Sequence, residues 1–159
     1  MADIVVVGVG NRDRGDDAAG PEVVARLEET VPPGVRLATT VGSDPASLMD
    51  LWEGARLAVV VDAVVSGAEA GTVLRVEAAT PLPANIRLVS THALGAGTAI
   101  ELARAVGRIP ERLVVIGIEG SSYRVGTGLS PRVAEAVPVA AGMVLEEVVA
   151  TAGGRRGEA

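Results

Sequence analysis

Residues 3–17 of this chain read DIVVVGVGNRDRGDD, and this stretch decides the fold. Residues 4–7 are β-branched and apolar, a pattern typical of a strand buried on both faces in a parallel sheet. The glycines of the GVG segment that follows allow a sharp turn and a close approach of other groups. Two adjacent carboxylates, Asp16 and Asp17, come shortly after. Because ligands of open α/β sheets bind beyond the carboxyl ends of the strands, the stretch places acidic side chains where such folds do chemistry.

The rest of the chain repeats this alternation of apolar strands and helix signals. Buried strands are predicted at residues 57–64 and 113–118, and the alternating apolar and charged residues 72–77 are typical of a half-exposed antiparallel edge strand. Helix-start signals with an early proline occur at Gly20-Pro21, Asp44-Pro45 and Ser130-Pro131. Strands that alternate with helices predict a three-layer α/β/α sandwich around a mostly parallel sheet.

Length and composition predict a single domain over residues 1–159. The chain has no internal repeat and no linker, and its 159 residues suffice for a full hydrophobic core. The core is expected to be aliphatic, because hydrophobic residues make up 48% of the chain with one Trp, one Tyr and no Phe. The Gly- and Arg-rich residues 153–159 are expected to form a loose tail.

Charge and cysteine content exclude several classes of function. The net charge is −6 and no basic patch is visible, which argues against a nucleic-acid partner. The chain has no Cys, so disulfides, thiolate metal sites and cysteine nucleophiles are excluded. We expect no membrane association and a cytoplasmic location, because no signal peptide is visible and no apolar run reaches about 18 residues.

Acidic residues follow or end several of the apolar segments. Besides Asp16 and Asp17, these are Asp62 and Glu119, and the single histidine, His92, lies at a predicted strand-to-helix junction. If they share one edge of the sheet, two carboxylates and an imidazole form a mixed oxygen and nitrogen donor set for a divalent transition metal. Water or a substrate atom would complete the coordination.

Each of these residues also has a structural interpretation. Asp16 and Asp17 could be first-turn acids of a helix, favoured by its dipole. Asp62 could end a strand and cap a turn, and His92 could be a capping residue beside Ser and Thr. Glu119 is interpreted as a loop or supporting carboxylate.

Two other chemistries fit less well. A dinucleotide fingerprint would need glycine where Asp13 stands, and a phosphate-binding P-loop would need a lysine, which the chain lacks. A serine hydrolase would have to combine His92 with one of seven serines and with Asp17 or Asp62, but no nucleophile elbow is present.

Together, the motifs resemble the hydrogenase maturation proteases, the endopeptidases of nickel-iron hydrogenase assembly. The resemblance spans residues 3–149. The matching segments are GVGN at 8–11, the acidic pair at 16–17, VVDA at 60–63, STHALG at 90–95, GIEG at 117–120 and GTGLSP at 126–131. The first ligand position is often Glu in the family and is the shorter Asp17 here, and Ala18 stands where the family often has Gly.

The resemblance implies an α/β/α sandwich with a five-stranded twisted sheet. It also implies an enzyme that removes a C-terminal extension from the hydrogenase large-subunit precursor after nickel insertion. Asp17, Asp62 and His92 would then be the nickel-recognising and catalytic residues, with Asp16 as the adjacent acid. Nickel would come with the substrate, and the hydrolytic agent could be a nickel-polarised water, an acidic residue or the geometry of the substrate itself. A non-catalytic metal-binding assembly module on the same fold is the alternative.

Overall fold

The structure is a computed structural model that describes residues 3–41, 44–78, 83–89 and 96–156. The elements in chain order are β1 (Ile4–Val9), a short 3-10 helix (Gly15–Ala18), α1 (Ala19–Leu27), β2 (Val35–Thr40), α2 (Pro45–Trp52), β3 (Leu57–Val65), β4 (Val73–Glu77), β5 (Arg87–Leu88), α3 (Ala96–Val106), β6 (Arg112–Glu119) and α4 (Pro131–Arg156). Strands and helices alternate along most of the chain, as the sequence predicts, and β3, β4 and β5 follow one another before α3.

The strands form one mostly parallel sheet. The order is β2-β1-β3-β6-β4, and β1 pairs in parallel with β2 and β3, while β3 pairs in parallel with β6. β4 lies at the edge and runs antiparallel to β6, which confirms the predicted edge strand. The two-residue β5 adds to the end of β3, on the side where pairing with β1 has already ended.

Helices cover both faces of the sheet. Odd-numbered positions of β3, such as Leu57 and Val59, pack with α1 and α4, and even-numbered positions, such as Ala58 and Val60, pack with α2 and α3. The three-layer α/β/α architecture is therefore confirmed. The core is aliphatic apart from Trp52, which is 1% exposed and lies in the layer of α2 and α3.

The start of α2 follows the helix signal in its sequence. Asp44 has an extended backbone, and its carboxylate accepts hydrogen bonds from the hydroxyl of Ser47 (2.8 Å) and the backbone N–H of Ala46 (3.0 Å). These bonds lower the pKa of Asp44, that from Ser47 most. Pro45 occupies the first helical position, where its missing N–H leaves no bond unmade.

The long helix α4 extends farther than the composition suggests. It continues through Arg156, so it includes the first four residues of the stretch 153–159 that was expected to be loose. Extending a formed helix adds a backbone hydrogen bond for each further residue, and the guanidinium of Arg56 donates to the backbone oxygen of Thr151 at 2.9 Å. Within the described ranges, neither α4 nor any other helix combines the length and apolar character needed to cross a membrane.

Candidate functional site

Four acidic side chains are buried near the carboxyl ends of the parallel strands. Asp16 and Asp17 lie in the 3-10 helix after β1, Asp62 lies in the second half of β3, and Glu119 is the last residue of β6. Among the described residues, these are the buried charged side chains; Glu119 is 4% exposed and the other three are 0% exposed. Because carboxylates are almost never buried unless they are paired, hydrogen-bonded or bound to a cation, this edge is the candidate functional site.

Glycines allow the acidic turn to approach the sheet. A Cβ at Gly20 in α1 would lie 2.4 Å from the backbone oxygen of Val61 and 2.6 Å from that of Val9. A Cβ at Gly8 would lie 2.5 Å from the backbone oxygen of Gly20. Because both positions lack a side chain, α1 packs directly on the backbones of β1 and β3. The 3-10 helix that precedes α1 therefore contacts β3, the strand that carries Asp62.

Asp16 is bound by the loop between β6 and α4. Its carboxylate accepts hydrogen bonds from the backbone N–H groups of Ser121 (2.8 Å), Ser122 (3.0 Å) and Ser130 (2.8 Å). The hydroxyl of Ser130 donates to it as well, at 2.9 and 3.0 Å. Burial disfavours the charged form, but these bonds outweigh burial and hold the pKa of Asp16 below its usual value. Asp16 therefore connects two loops, and both of its oxygens accept bonds from within the protein.

Asp17 contacts the turn that follows β1. Its Oδ2 accepts a hydrogen bond, at 3.0 Å, from the backbone N–H of Asn11. The turn is closely packed around it, since a Cβ at Gly10 would lie 1.9 Å from the backbone oxygen of Asp17. Gly10 also has a φ of +147°, which side-chain-bearing residues rarely adopt. The glycine turn after β1 therefore fixes the position of Asp17.

Asp62 lies within β3 and not at its end. It is opposite Gly117 of β6, and β3 continues to Val65 because β6 and β5 both pair with its last residues. The interpretation that Asp62 ends a strand and caps a turn is therefore wrong. Even-numbered positions of β3 face α2 and α3, so strand alternation places Asp62 on the side of the sheet that these two helices cover.

Glu119 supports the turn that follows β3. Its carboxylate oxygens accept hydrogen bonds from the backbone N–H of Ser66 at 3.0 and 3.1 Å. The backbone N–H of Glu119 donates to the backbone oxygen of Thr72 at 2.8 Å, and Thr72 directly precedes β4. These contacts agree with the predicted role of a supporting carboxylate.

Tyr123, which no sequence motif singles out, lies among these acids. It is the single tyrosine of the chain and follows closely after the GIEG segment. A Cβ at Gly120 would lie 2.3 Å from the Tyr123 hydroxyl oxygen and 3.1 Å from the Cβ of Asp16. Burial raises the pKa of Tyr123 to about 12, and the charges of all four buried acids contribute, that of Asp16 most. The field of all four carboxylates therefore acts on one hydroxyl, as expected if the fold brings them together.

His92, the third predicted ligand, lies outside the described residues. The helix that follows it, α3, begins at Ala96. In the part of the chain that the structure describes, no group of three or more His, Cys, Asp or Glu side chains is placed to hold a metal ion. The set of Asp17, Asp62 and His92 therefore stays a prediction.

The arrangement is suited to cation binding and acid–base chemistry. Two buried carboxylates can supply oxygen donors to a divalent cation or accept a proton from water. An added imidazole would favour a transition metal over calcium or magnesium. The hydroxyls of Ser66 and Ser130 donate to carboxylates at 3.3 and 2.9 Å. These hydrogen bonds tie loops to the buried acids. A serine nucleophile would instead donate its hydroxyl proton to an imidazole.

Comparisons with known proteins give the same family as the motifs. The family model described as hydrogenase maturation protease (HycI) matches residues 21–147. The hydrogenase 2 maturation protease of Escherichia coli strain K12 is 32% identical over 152 residues, which make up 92% of this chain and 88% of that protein.

Solved structures share the fold as well. The hydrogenase maturating endopeptidase HybD from E. coli is similar with a TM-score of 0.80 and 27% identity, over 95% of this chain and 94% of that one. The NiFe hydrogenase maturation protease HybD from Thermococcus kodakarensis gives a TM-score of 0.75 and 26% identity, over 93% and 99%. With the family model matching well over half of its length, this chain belongs to the hydrogenase maturation protease family.

Proposed function

We propose that this protein is the endopeptidase that removes the C-terminal extension of a nickel-iron hydrogenase large-subunit precursor after nickel has been inserted. Membership of the hydrogenase maturation proteases supports the peptidase activity and the class of substrate. The observation that carries the proposal is the burial of Asp17 and Asp62, both 0% exposed, near the carboxyl ends of parallel strands. Both acids stand in the motifs on which the family resemblance rests.

In this proposal nickel is part of the substrate, and the protein recognises it. Asp17 and Asp62 would supply oxygen donors, and His92 would supply a nitrogen donor. The chain has no cysteine, so it lacks the thiolates that hold soft metals firmly. A carboxylate and imidazole site of this kind can contact nickel that the precursor already holds and can then release the product. Cleavage would therefore wait for nickel insertion.

Peptide cleavage adds one water molecule across the scissile bond. The water oxygen bonds to the carbonyl carbon, the carbon–nitrogen bond breaks, and the nitrogen takes up a proton and leaves as an amine. A carboxylate that accepts the proton of the water and passes it to the nitrogen would balance this step. Holding the precursor through its nickel would bring the peptide bond to Asp17 and Asp62 in a fixed orientation. A fixed orientation accelerates cleavage, because the entropy of bringing the reacting groups together is lost on binding and not in the chemical step.

The test is cleavage of purified, nickel-loaded precursor, followed by intact-mass spectrometry. We expect wild-type protein to shorten the precursor, and Asp17→Asn, Asp62→Asn and His92→Ala each to lose at least about a hundredfold in rate, as for the loss of a catalytic acid or base. The matched control is Asp13→Asn, an exposed acid four residues before Asp17, which should cleave as wild type does.

Three outcomes separate the proposal from its alternatives. Unchanged cleavage in all three variants would refute the assigned roles. A wild-type protein that binds the precursor and is stabilised by nickel without cutting would be the metal-binding assembly module instead. Inactivation by a serine-reactive fluorophosphonate would favour a serine hydrolase.

A further inference from the structure

The hydroxyl of Tyr123 is a polar group of the candidate site that packing does not explain. It is buried and has no hydrogen-bond partner among the residues that the structure describes. Buried polar groups of native proteins are nearly always hydrogen-bonded, and a buried donor without an acceptor lowers stability. A phenylalanine would fill the same space without this cost. The hydroxyl therefore needs a reason other than the stability of the folded chain.

The neighbouring glycine provides the space for this hydroxyl. Gly120 is not among the glycines with a positive φ, so its backbone conformation does not require glycine. A Cβ at this position would lie 2.3 Å from the Tyr123 hydroxyl oxygen and 2.8 Å from its Cζ. Glycine is therefore needed at position 120 because the end of the Tyr123 ring occupies the space where a side chain would lie.

Two backbone donors of the candidate site bind its acids. The backbone N–H of Ser121 donates to Asp16, and that of Ser66 donates to Glu119. Tyr123 adds a neutral donor in a region where four carboxylates make the potential negative. A peptide carbonyl oxygen that enters such a region is repelled, and a neutral donor beside it offsets the repulsion.

Building on the proposed peptidase function, we infer that Tyr123 is a substrate-binding residue. Its hydroxyl donates a hydrogen bond to a peptide carbonyl oxygen of the precursor, next to the bond that is cut. The residue as a whole is partly exposed. The proposed bond requires the side chain to rotate, so that the hydroxyl leaves its place beside Gly120. The bond forms in the complex with the precursor, which explains why the donor has no partner among the described residues of the free protein.

The experiment compares Tyr123→Phe with a matched control, Thr151→Val, in the full-length protein. The hydroxyl of Thr151 is also buried without a hydrogen-bond partner among the described residues, but it lies on α4 beside Arg56, just before the start of β3. Removing either hydroxyl should leave the thermal midpoint of unfolding unchanged or raise it. Tyr123→Phe should lower kcat/KM for the nickel-loaded precursor about tenfold, the value of one lost hydrogen bond, and Thr151→Val should not.

A second variant tests the role of the space beside Gly120. Gly120→Ala should lower kcat/KM in the wild-type background, because the new methyl group displaces the hydroxyl. It should have a smaller effect on activity in the Tyr123→Phe background, where that hydroxyl is absent.

The outcomes distinguish this inference from the proposed function. A Tyr123→Phe protein with wild-type kcat/KM overturns the inference and leaves the peptidase function in place. A Tyr123→Phe protein that unfolds at a lower temperature also overturns it, because the hydroxyl would then be bonded within the folded chain. A wild-type protein that does not cut the nickel-loaded precursor refutes the proposed function itself.

Discussion

Replacing Asp16 by asparagine tests how the site is assembled. Asparagine has nearly the same shape, but its NH2 group takes the place of one oxygen. Both oxygens of Asp16 accept hydrogen bonds from backbone N–H groups, Oδ1 from Ser130 and Oδ2 from Ser121 and Ser122. In either orientation, the NH2 group of asparagine would therefore leave at least one of these N–H groups without an acceptor. Hydrogen bonds to charged groups contribute about 1.5–3 kcal/mol each, and an orphaned buried donor costs about 1–3 kcal/mol. Part of this is offset because a charge is no longer buried, so we expect a destabilisation of about 2–4 kcal/mol.

The pH dependence of this difference has a definite sign. The pKa of Asp16 lies below the ordinary value of 3.8 when the protein is folded. Its contribution to stability is therefore complete above that value and is lost as pH falls through the lowered pKa. The free-energy difference between wild type and Asp16→Asn should be constant from about pH 6 to pH 8 and should shrink below about pH 4.

Urea unfolding followed by the fluorescence of the buried Trp52 measures this difference directly. The control is Asp44→Asn, an exposed acid that also accepts a backbone N–H at a helix start, where asparagine is an equally good cap. It should unfold at nearly the same urea concentration as wild type. An Asp16→Asn protein as stable as wild type at pH 7, or a difference that persists undiminished at pH 3, would refute this account of Asp16.

Three further changes have defined outcomes. Gly20→Ala should destabilise the protein by about 1–3 kcal/mol or more in urea unfolding, because the methyl group meets backbone oxygens of β1 and β3. The control is Gly142→Ala, which should be neutral or stabilising because nothing lies within 4 Å of the new methyl group. Gly10→Ala should reduce cleavage of the nickel-loaded precursor at least tenfold, since its Cβ would overlap the backbone oxygen of Asp17; wild-type activity would contradict this. Glu147→Gln should cost less than about 1 kcal/mol, because its two arginine partners are partly exposed. The loss of stability in Glu147→Gln should be smaller still in 1 M salt, because salt screens exposed ion pairs. An equal loss at low and high salt would show that these ion pairs are not the cause.

The layers and the order of elements could be predicted because each rests on a local pattern. Apolar β-branched runs gave the central strands, and the alternating pattern of residues 72–77 gave the edge strand β4. The cap at Asp44 could also be predicted from its position before Pro45. The strand predicted at residues 57–64 agrees with β3 to within one residue, and β5 and β6 both pair with its end. The extent of α4 was not predicted, because its last residues carry no apolar pattern.

The acids of the site and the supporting role of Glu119 were predictable, but the surroundings of the adjacent pair were not. Asp16 and Asp17 follow the same strand, and the loop at residues 121–130, which comes later in the chain, distinguishes them by binding Asp16. Tyr123 stands in no motif, because its importance depends on the space beside Gly120. A single tyrosine in a loop that follows a strand ending in an acid was the one available signal.

If the protein recognises nickel carried by its substrate, cleavage must depend on that nickel. Nickel-loaded and nickel-free precursor are incubated with the protein in parallel, and the intact mass of each is followed over time. We expect the loaded precursor to lose its C-terminal extension while the nickel-free precursor keeps its full mass. Equal rates of shortening in the two samples would show that nickel is not recognised.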